Sequence, residues 1–210
     1  MASQQSSDDI SQNHIILVHG LGADPTVYWL LRRRLRRKGF STKTWGYFSF
    51  RGSIEKHAER LVDFLNRFPC RDKDKIHLVG HSMGSIICRR VLLDLPIENL
   101  GRVVLMAPPN QGSPVATRLN PFFGRICPAI KELSDSENSY VRTLNEPEGY
   151  QIGVIQALRD WLVPLENTRL STAQETVALP LIHSGVLFSR EAAELVAQFL
   201  TTGSFDQEVT

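Results

Sequence analysis

The sequence predicts an α/β fold: about six mainly parallel strands, with helices on both faces of the sheet. Two observations carry this. Short, near-continuous apolar runs alternate with segments of helical periodicity, and the runs lack the in–out alternation of a half-exposed strand. The intervening segments are long enough to hold the crossover helices that parallel neighbours require.

The elements follow in order. "HIILVHG" (14–20) is a buried strand ending in glycine. Asp24 and Pro25 then provide a helix cap and a first helical residue. Val27, Tyr28, Leu31 and Leu35 form the inward stripe, and Gly39 closes the helix. "STKTWGYF" (41–48) reads as a second strand. Ser53 caps a helix over 53–68, with Ile54, Ala58, Leu61, Leu65 and Phe68 at helical spacing before Pro69. "KIHLVGH" (75–81) is a third buried strand, and "MGSIICRRVLLDL" (83–95) a helix stopped by Pro96. Strands are expected at 101–108, 150–158 and 175–180. Ser189 then caps a last helix whose Ala192, Leu195, Val196 and Phe199 face inward.

Residues 14–201 read as a single domain, which 210 residues readily allow. Residues 1–13 and 202–210 read as polar, disordered tails. Segment 110–149 is the largest insertion between strands. Its prolines and its Phe122, Phe123, Ile126, Ile130 and Leu133 suit either a cap or acyl-pocket wall, or simple loop packing.

Composition excludes several function classes. A formal net charge of +2 gives no general basis for nucleic-acid binding. Three cysteines (Cys70, Cys88, Cys127) form no closed disulfide framework and no metal-ligand spacing. The start, "MASQQSSDDISQN", lacks a secretory apolar run, and no stretch approaches a membrane span, so a cytoplasmic location is expected. One basic run stands out: Arg32, Arg33, Arg34, Arg36, Arg37 and Lys38. Its ordinary reading is a solvated helix face. The alternative is weak peripheral contact with an anionic lipid surface, weakening as salt rises.

The chemistry-bearing residues fall where strands end. In open α/β sheets ligands bind beyond those carboxyl ends. Ser82 lies in "VGHSMGS", directly after one strand and before a helix. Gly80 and Gly84 give the turn the small volume it needs, and the helix N-terminus offers free N–H groups. The Met83 N–H would face an oxygen turning negative during attack on an acyl carbonyl. "LVHGLG" (17–22) supplies a second backbone donor at Leu21.

A serine nucleophile needs a base. Of six histidines, His14, His19, His57, His77 and His81 read as structural, with His19 and His81 orienting loops. His183 alone follows Ser82 and lies beyond the last strand. Asp160, in "VIQALRDWLVP", is the acid that directly follows an apolar strand; Trp161, Leu162 and Val163 would partly bury it, and Glu166 and Asp135 are the alternatives.

The order Ser82, Asp160, His183 matches that of one fold family. In "LVHGLG", "HLVGHSMGS", "VLMAPPNQGSPVA", "RDWLVP" and "LIHSGVLFS" the chain resembles the α/β-hydrolases, and within them small serine lipases and esterases such as bacterial triacylglycerol lipases and PGAP-like esterases. The resemblance implies a minimal version of that fold and cleavage of an ester or lipid substrate through an acyl-enzyme on Ser82. It implies no cofactor and no metal. A thioesterase or acyltransferase on the same triad, or a non-catalytic hydrolase-like binding protein, are the competing readings. Ser85, where such lipases often carry a further glycine, and Arg159, before the acid, depart from the pattern.

Overall fold

The computed structural model describes residues 12–94 and 97–206. Of the expected tails, 1–13 and 202–210, residues 1–11 and 207–210 lie outside the described residues, as does the helix stop at Pro96; Asn13 instead belongs to the first strand, and Phe205 is buried against Phe199. Six parallel strands form one sheet: β1 (Asn13–Val18), β2 (Ser41–Trp45), β3 (Lys75–His81), β4 (Leu100–Met106), β5 (Ile152–Ala157) and β6 (Glu175–Leu179), in the order β2-β1-β3-β4-β5-β6.

The alternation of side chains along each strand divides the core in two. Ile16, Val18, Leu78 and Leu105 face one side, where they pack with α2 (Ile54–Asn66) and α3 (Met83–Val91). Ile15, Leu17, Val79 and Val104 face the other, against α1 (Trp29–Arg37) and α7 (Arg190–Thr202). All these strand side chains are fully buried, which is why the strands read as unbroken apolar runs.

Local chemistry sets the helix ends. Asp24, Ser53 and Ser189 each accept a hydrogen bond from a first-turn amide, as their sequence positions predict. Pro25 opens a 3-10 turn that leads into α1. Gly39, at φ 93°, lets the chain leave that helix, and the Phe40 N–H donates to the Leu35 carbonyl.

Several boundaries are tighter than the sequence suggests. The expected strand 41–48 stops at Trp45; Gly46 follows at a close approach to Pro25, where a Cβ would lie 2.9 Å from Pro25 Cγ. The expected strand 101–108 ends at Met106, since Ala107 turns to φ 46°. The helix expected over 83–95 ends at Val91. Segment 110–149 is more than a loop. It carries α4 (Pro114–Phe123), α5 (Pro128–Glu132) and α6 (Tyr140–Thr143), with a bridge between Ser113 and Ser134.

The strand order fixes where a ligand can enter. From β1 the chain winds outward to β2, then returns past β1 to continue through β3 to β6. A crevice opens beyond the carboxyl ends of β1 and β3, where the winding reverses. Among the described residues, no helix is long and apolar enough to cross a membrane.

Candidate active site

Ser82 occupies the crevice, in the turn between β3 and α3, at φ 52° and ψ −124°. A non-glycine residue there is strained by about 1–3 kcal/mol, so its surroundings must over-determine it. They do. The Ser82 N–H donates to the Met106 carbonyl at 2.9 Å, and the Ser82 carbonyl accepts from the Ser85 N–H at 2.9 Å.

The flanking glycines are steric necessities. A Cβ on Gly80 would lie 2.6 Å from the Gly84 carbonyl oxygen and from Ser85 Cα, and one on Gly84 would lie 2.0 Å from the Val18 carbonyl oxygen. Helix α3 therefore abuts the backbone of β3 and the end of β1. Ser85 fits this close approach: it is fully buried, and its hydroxyl donates to the Met106 carbonyl at 3.4 Å. The turn after β1 comes against the same point, because a Cβ on Gly20 would lie 3.0 Å from Ser82 Cβ. Leu21 and Ser82 thus border one cavity, while Met83 begins the helix immediately behind.

Asp160 lies three residues past β5 and His183 four past β6, so adjacent strands deliver them to one place. The His183 Nδ1 lies 2.5 Å from Asp160 Oδ2. The other oxygen, Asp160 Oδ1, accepts from the amides of Leu162 at 2.9 Å and Val163 at 3.0 Å. Both side chains are buried, at 1% exposure for Asp160 and 8% for His183. The alternatives are elsewhere: Asp135 accepts from the Thr117 hydroxyl, and Glu166 is exposed in a 3-10 turn. Trp161 does not cover the carboxylate as expected. It is 71% exposed, and the turn amides of Leu162 and Val163 do the shielding.

Ser82 and His183 line one cavity of about 260 Å³. Its walls are otherwise largely apolar, with Leu119, Ile130, Leu133 and Val163 among them. The apolar residues of the insertion divide here: Ile130 and Leu133 turn into the cavity, whereas Phe122 and Ile126 are 75% and 76% exposed.

Two residues around the site have roles the sequence does not spell out. His81 is buried; its Nε2 bonds the His183 carbonyl oxygen at 3.1 Å, and the two rings lie 4.9 Å apart. Burial and the neighbouring His183 push His81 down to about 3, so at neutral pH it donates as an uncharged imidazole. Arg89, on α3, is 2% exposed. Its guanidinium donates to the carbonyls of Asn110, Val141, Leu144 and Asn145. This ties the insertion to the helix that follows Ser82. Helical spacing marks Arg89 only as one of several arginines; the carbonyls that solvate it come from distant sequence.

A separate polar cluster, His14, Cys70 and Asp74, has metal-ligand types within reach of one another. It lies at the opposite, amino end of the sheet. The Arg71 guanidinium and the Gln12 amide already bind Asp74 and hold its carboxyl well below the usual range. Burial raises the Cys70 thiol. The donor set is poorly suited to a cation.

Comparison with known proteins places the fold. Residues 15–200 match the model of the alpha/beta hydrolase family, and the chain belongs to that family. Among solved structures, it is similar to the mature Bacillus licheniformis lipase BlEst2, with TM-score 0.73 and 14% identity over 93% of this chain and 94% of that one. It is also similar to a metagenomic carboxyl esterase, with TM-score 0.67 and 18% identity over 84% of this chain and 66% of that one. Aspergillus fumigatus lipase B gives TM-score 0.74 and 15% identity, with 92% of this chain covering 54% of that larger protein. Identities this low speak for the fold. No curated protein matches the sequence significantly. The chain is thus a member of the alpha/beta hydrolase family, and the solved structures share its fold.

Proposed function

We propose that this hydrolase cleaves carboxylic esters through an acyl-enzyme on Ser82. His183 removes the Ser82 proton as the hydroxyl oxygen attacks the ester carbonyl carbon. The carbonyl oxygen, now negative, is held by the Leu21 and Met83 amides. Asp160 keeps Nδ1–H of His183 directed toward itself, leaving Nε2 for the reaction, and steadies the imidazolium. His183 then gives its proton to the leaving alcohol as the C–O bond breaks. Water, deprotonated by the same imidazole, attacks the acyl-serine and releases the acid.

The observation that carries this reading is a strained Ser82 lining the same cavity as His183, which is itself bonded to buried Asp160. Ser82 Oγ makes no hydrogen bond among the described residues, so its hydroxyl is uncommitted until substrate and His183 engage it. The largely apolar cavity of about 260 Å³ suits a short or medium acyl chain.

A panel of aryl esters of increasing acyl length, run on wild type and Ser82→Ala, tests the proposal. Wild type should hydrolyse them with a preference for the shorter chains, and the variant should lose turnover by at least about 10³-fold while folding normally. Retention of wild-type rates by Ser82→Ala would dismiss the assignment.

A further inference from the structure

The strongly exposed large apolar side chains are distributed unevenly. Among the described residues, several lie within four positions of the carboxyl end of a strand: Phe48 after β2, Leu158 and Trp161 after β5, and Ile182 after β6. These side chains add exposed apolar surface to the edge of the sheet at which the Ser82 cavity opens.

Helix α4 concentrates the effect. None of its ten residues is buried. Phe122, Phe123 and Ile126 are 75%, 49% and 76% exposed, while Val115, Ala116 and Leu119 of the same segment wall the cavity. The exposed charges on this segment are of one sign, and the carboxylates next to it are engaged, Asp135 by the Thr117 hydroxyl and Glu132 by the Ile54 amide. Residues 108–131 contain no Asp or Glu, and Arg118, Arg125 and Lys131 are exposed with no ion pair among the described residues. Aromatic and aliphatic side chains bordered by unpaired cations fit the boundary of an anionic bilayer, where the rings enter the acyl region and the cations meet the headgroups.

The basic run on α1 is less well placed for this. Arg34 is committed to the Phe188 carbonyl, and Arg36 to Thr42. Trp29 is the only strongly exposed large apolar side chain on that helix.

The base of α4 is fastened. Ser113 Oγ donates to the Leu162 carbonyl at 2.6 Å, its N–H to the Leu133 carbonyl at 2.8 Å, and Asn167 Nδ2 to the Gly112 carbonyl at 2.9 Å. Arg89 holds the far part of the insertion, and the cavity is already formed.

We propose that α4 and the segment after it form a fixed platform that seats on an anionic lipid–water interface, delivering acyl chains to the cavity beside it without a lid having to open. Delivery of substrate rests on the ester-hydrolase reading; docking does not.

Cosedimentation with phosphatidylcholine vesicles, with and without one third phosphatidylglycerol, tests the platform. Wild type should bind the anionic vesicles and be released at high salt. The double variant Phe122→Ser with Ile126→Ser should bind at least about tenfold more weakly. Arg118→Glu with Arg125→Glu should lose the preference for phosphatidylglycerol. Turnover of a short, soluble aryl ester should be the same in all three proteins and should not rise on adding vesicles. Wild type that ignores vesicles, an apolar-face variant that binds as wild type does, or one whose only change is loss of a dimer in light scattering, would overturn the proposal. So would a vesicle-induced rise in soluble-ester turnover. Binding without hydrolysis of any ester would instead refute the catalytic reading and leave the platform standing.

Discussion

The two ends of the sheet are built on opposite terms. At the amino end most of the polar groups pair: Asp74 binds Arg71 and the Gln12 amide, His77 accepts from the Arg102 amide, and Arg102 donates to the carbonyls of Leu200 and Thr201, although His14 Nδ1 has no partner among the described residues and Asn99 takes a positive φ. At the carboxyl end the strained Ser82, the His183–Asp160 pair and an apolar cavity meet, and apolar side chains such as Phe48, Trp161 and Ile182 face solvent. One end holds the chain together, while the other spends stability on placing particular groups. Substitutions at the two ends should therefore separate activity from stability.

The largest expected effect is at the carboxyl end. Asp160→Asn keeps the size of the side chain but can present an amide to Nδ1, which favours the wrong tautomer of His183. Ester turnover should fall about 10³–10⁴-fold, with KM little changed and the far-ultraviolet spectrum unaltered. Steady-state kinetics at neutral pH reads this directly.

A smaller effect is expected at His81. His81→Phe removes the donor to the His183 carbonyl and should lower kcat about tenfold or more, whereas His81→Gln, which retains an N–H, should recover most of it. The same residue has a pH signature. Native His81 stays neutral down to about 3, while the unfolded imidazole protonates near 6.5, so the unfolded state binds the extra proton between those values. Stability should therefore fall as pH drops through this window, by at most about 1.4 kcal/mol per pH unit for this group. Denaturant melts of His81→Gln should show a shallower fall than wild type; parallel curves would remove His81 from the account.

The smallest effect on turnover is expected at the amino end. Asp74→Ala strips the partner from Arg71 and the Gln12 amide, so Tm should drop by several degrees. With the site at the other end of the sheet, kcat and KM should stay at wild-type values. A large loss of kcat there, at a temperature where the variant is folded, would erase the contrast between the two ends.

What could be read from the sequence follows the same divide between local and distant physics. Strands β1 and β3 were legible because burial on both faces leaves continuous apolar runs, and the caps at Asp24, Ser53 and Ser189 because capping acts within one turn. The glycine-flanked turn at Ser82 was legible for a steric reason: no side chain fits at Gly80 or Gly84. The helices of the insertion were not, since α5 and α6 are too short to establish a period and α4 buries no residue. Trp161 misleads in the sequence because an apolar residue beside an acid looks like its cover, whereas here the Leu162 and Val163 amides bond the carboxylate and Trp161 is exposed. The His81–His183 contact spans 102 positions, and the carbonyls around Arg89 come from up to 56 residues away. Neither leaves a local trace.

The central claim is that Ser82 is the nucleophile and His183 its base. The most direct measurement is mass spectrometry of the folded chain after a fluorophosphonate probe, followed by peptide mapping. A single adduct on the peptide containing Ser82, absent in Ser82→Ala and formed much more slowly in His183→Ala, is the predicted result. An adduct on a different serine, or undiminished labelling without His183, would contradict it.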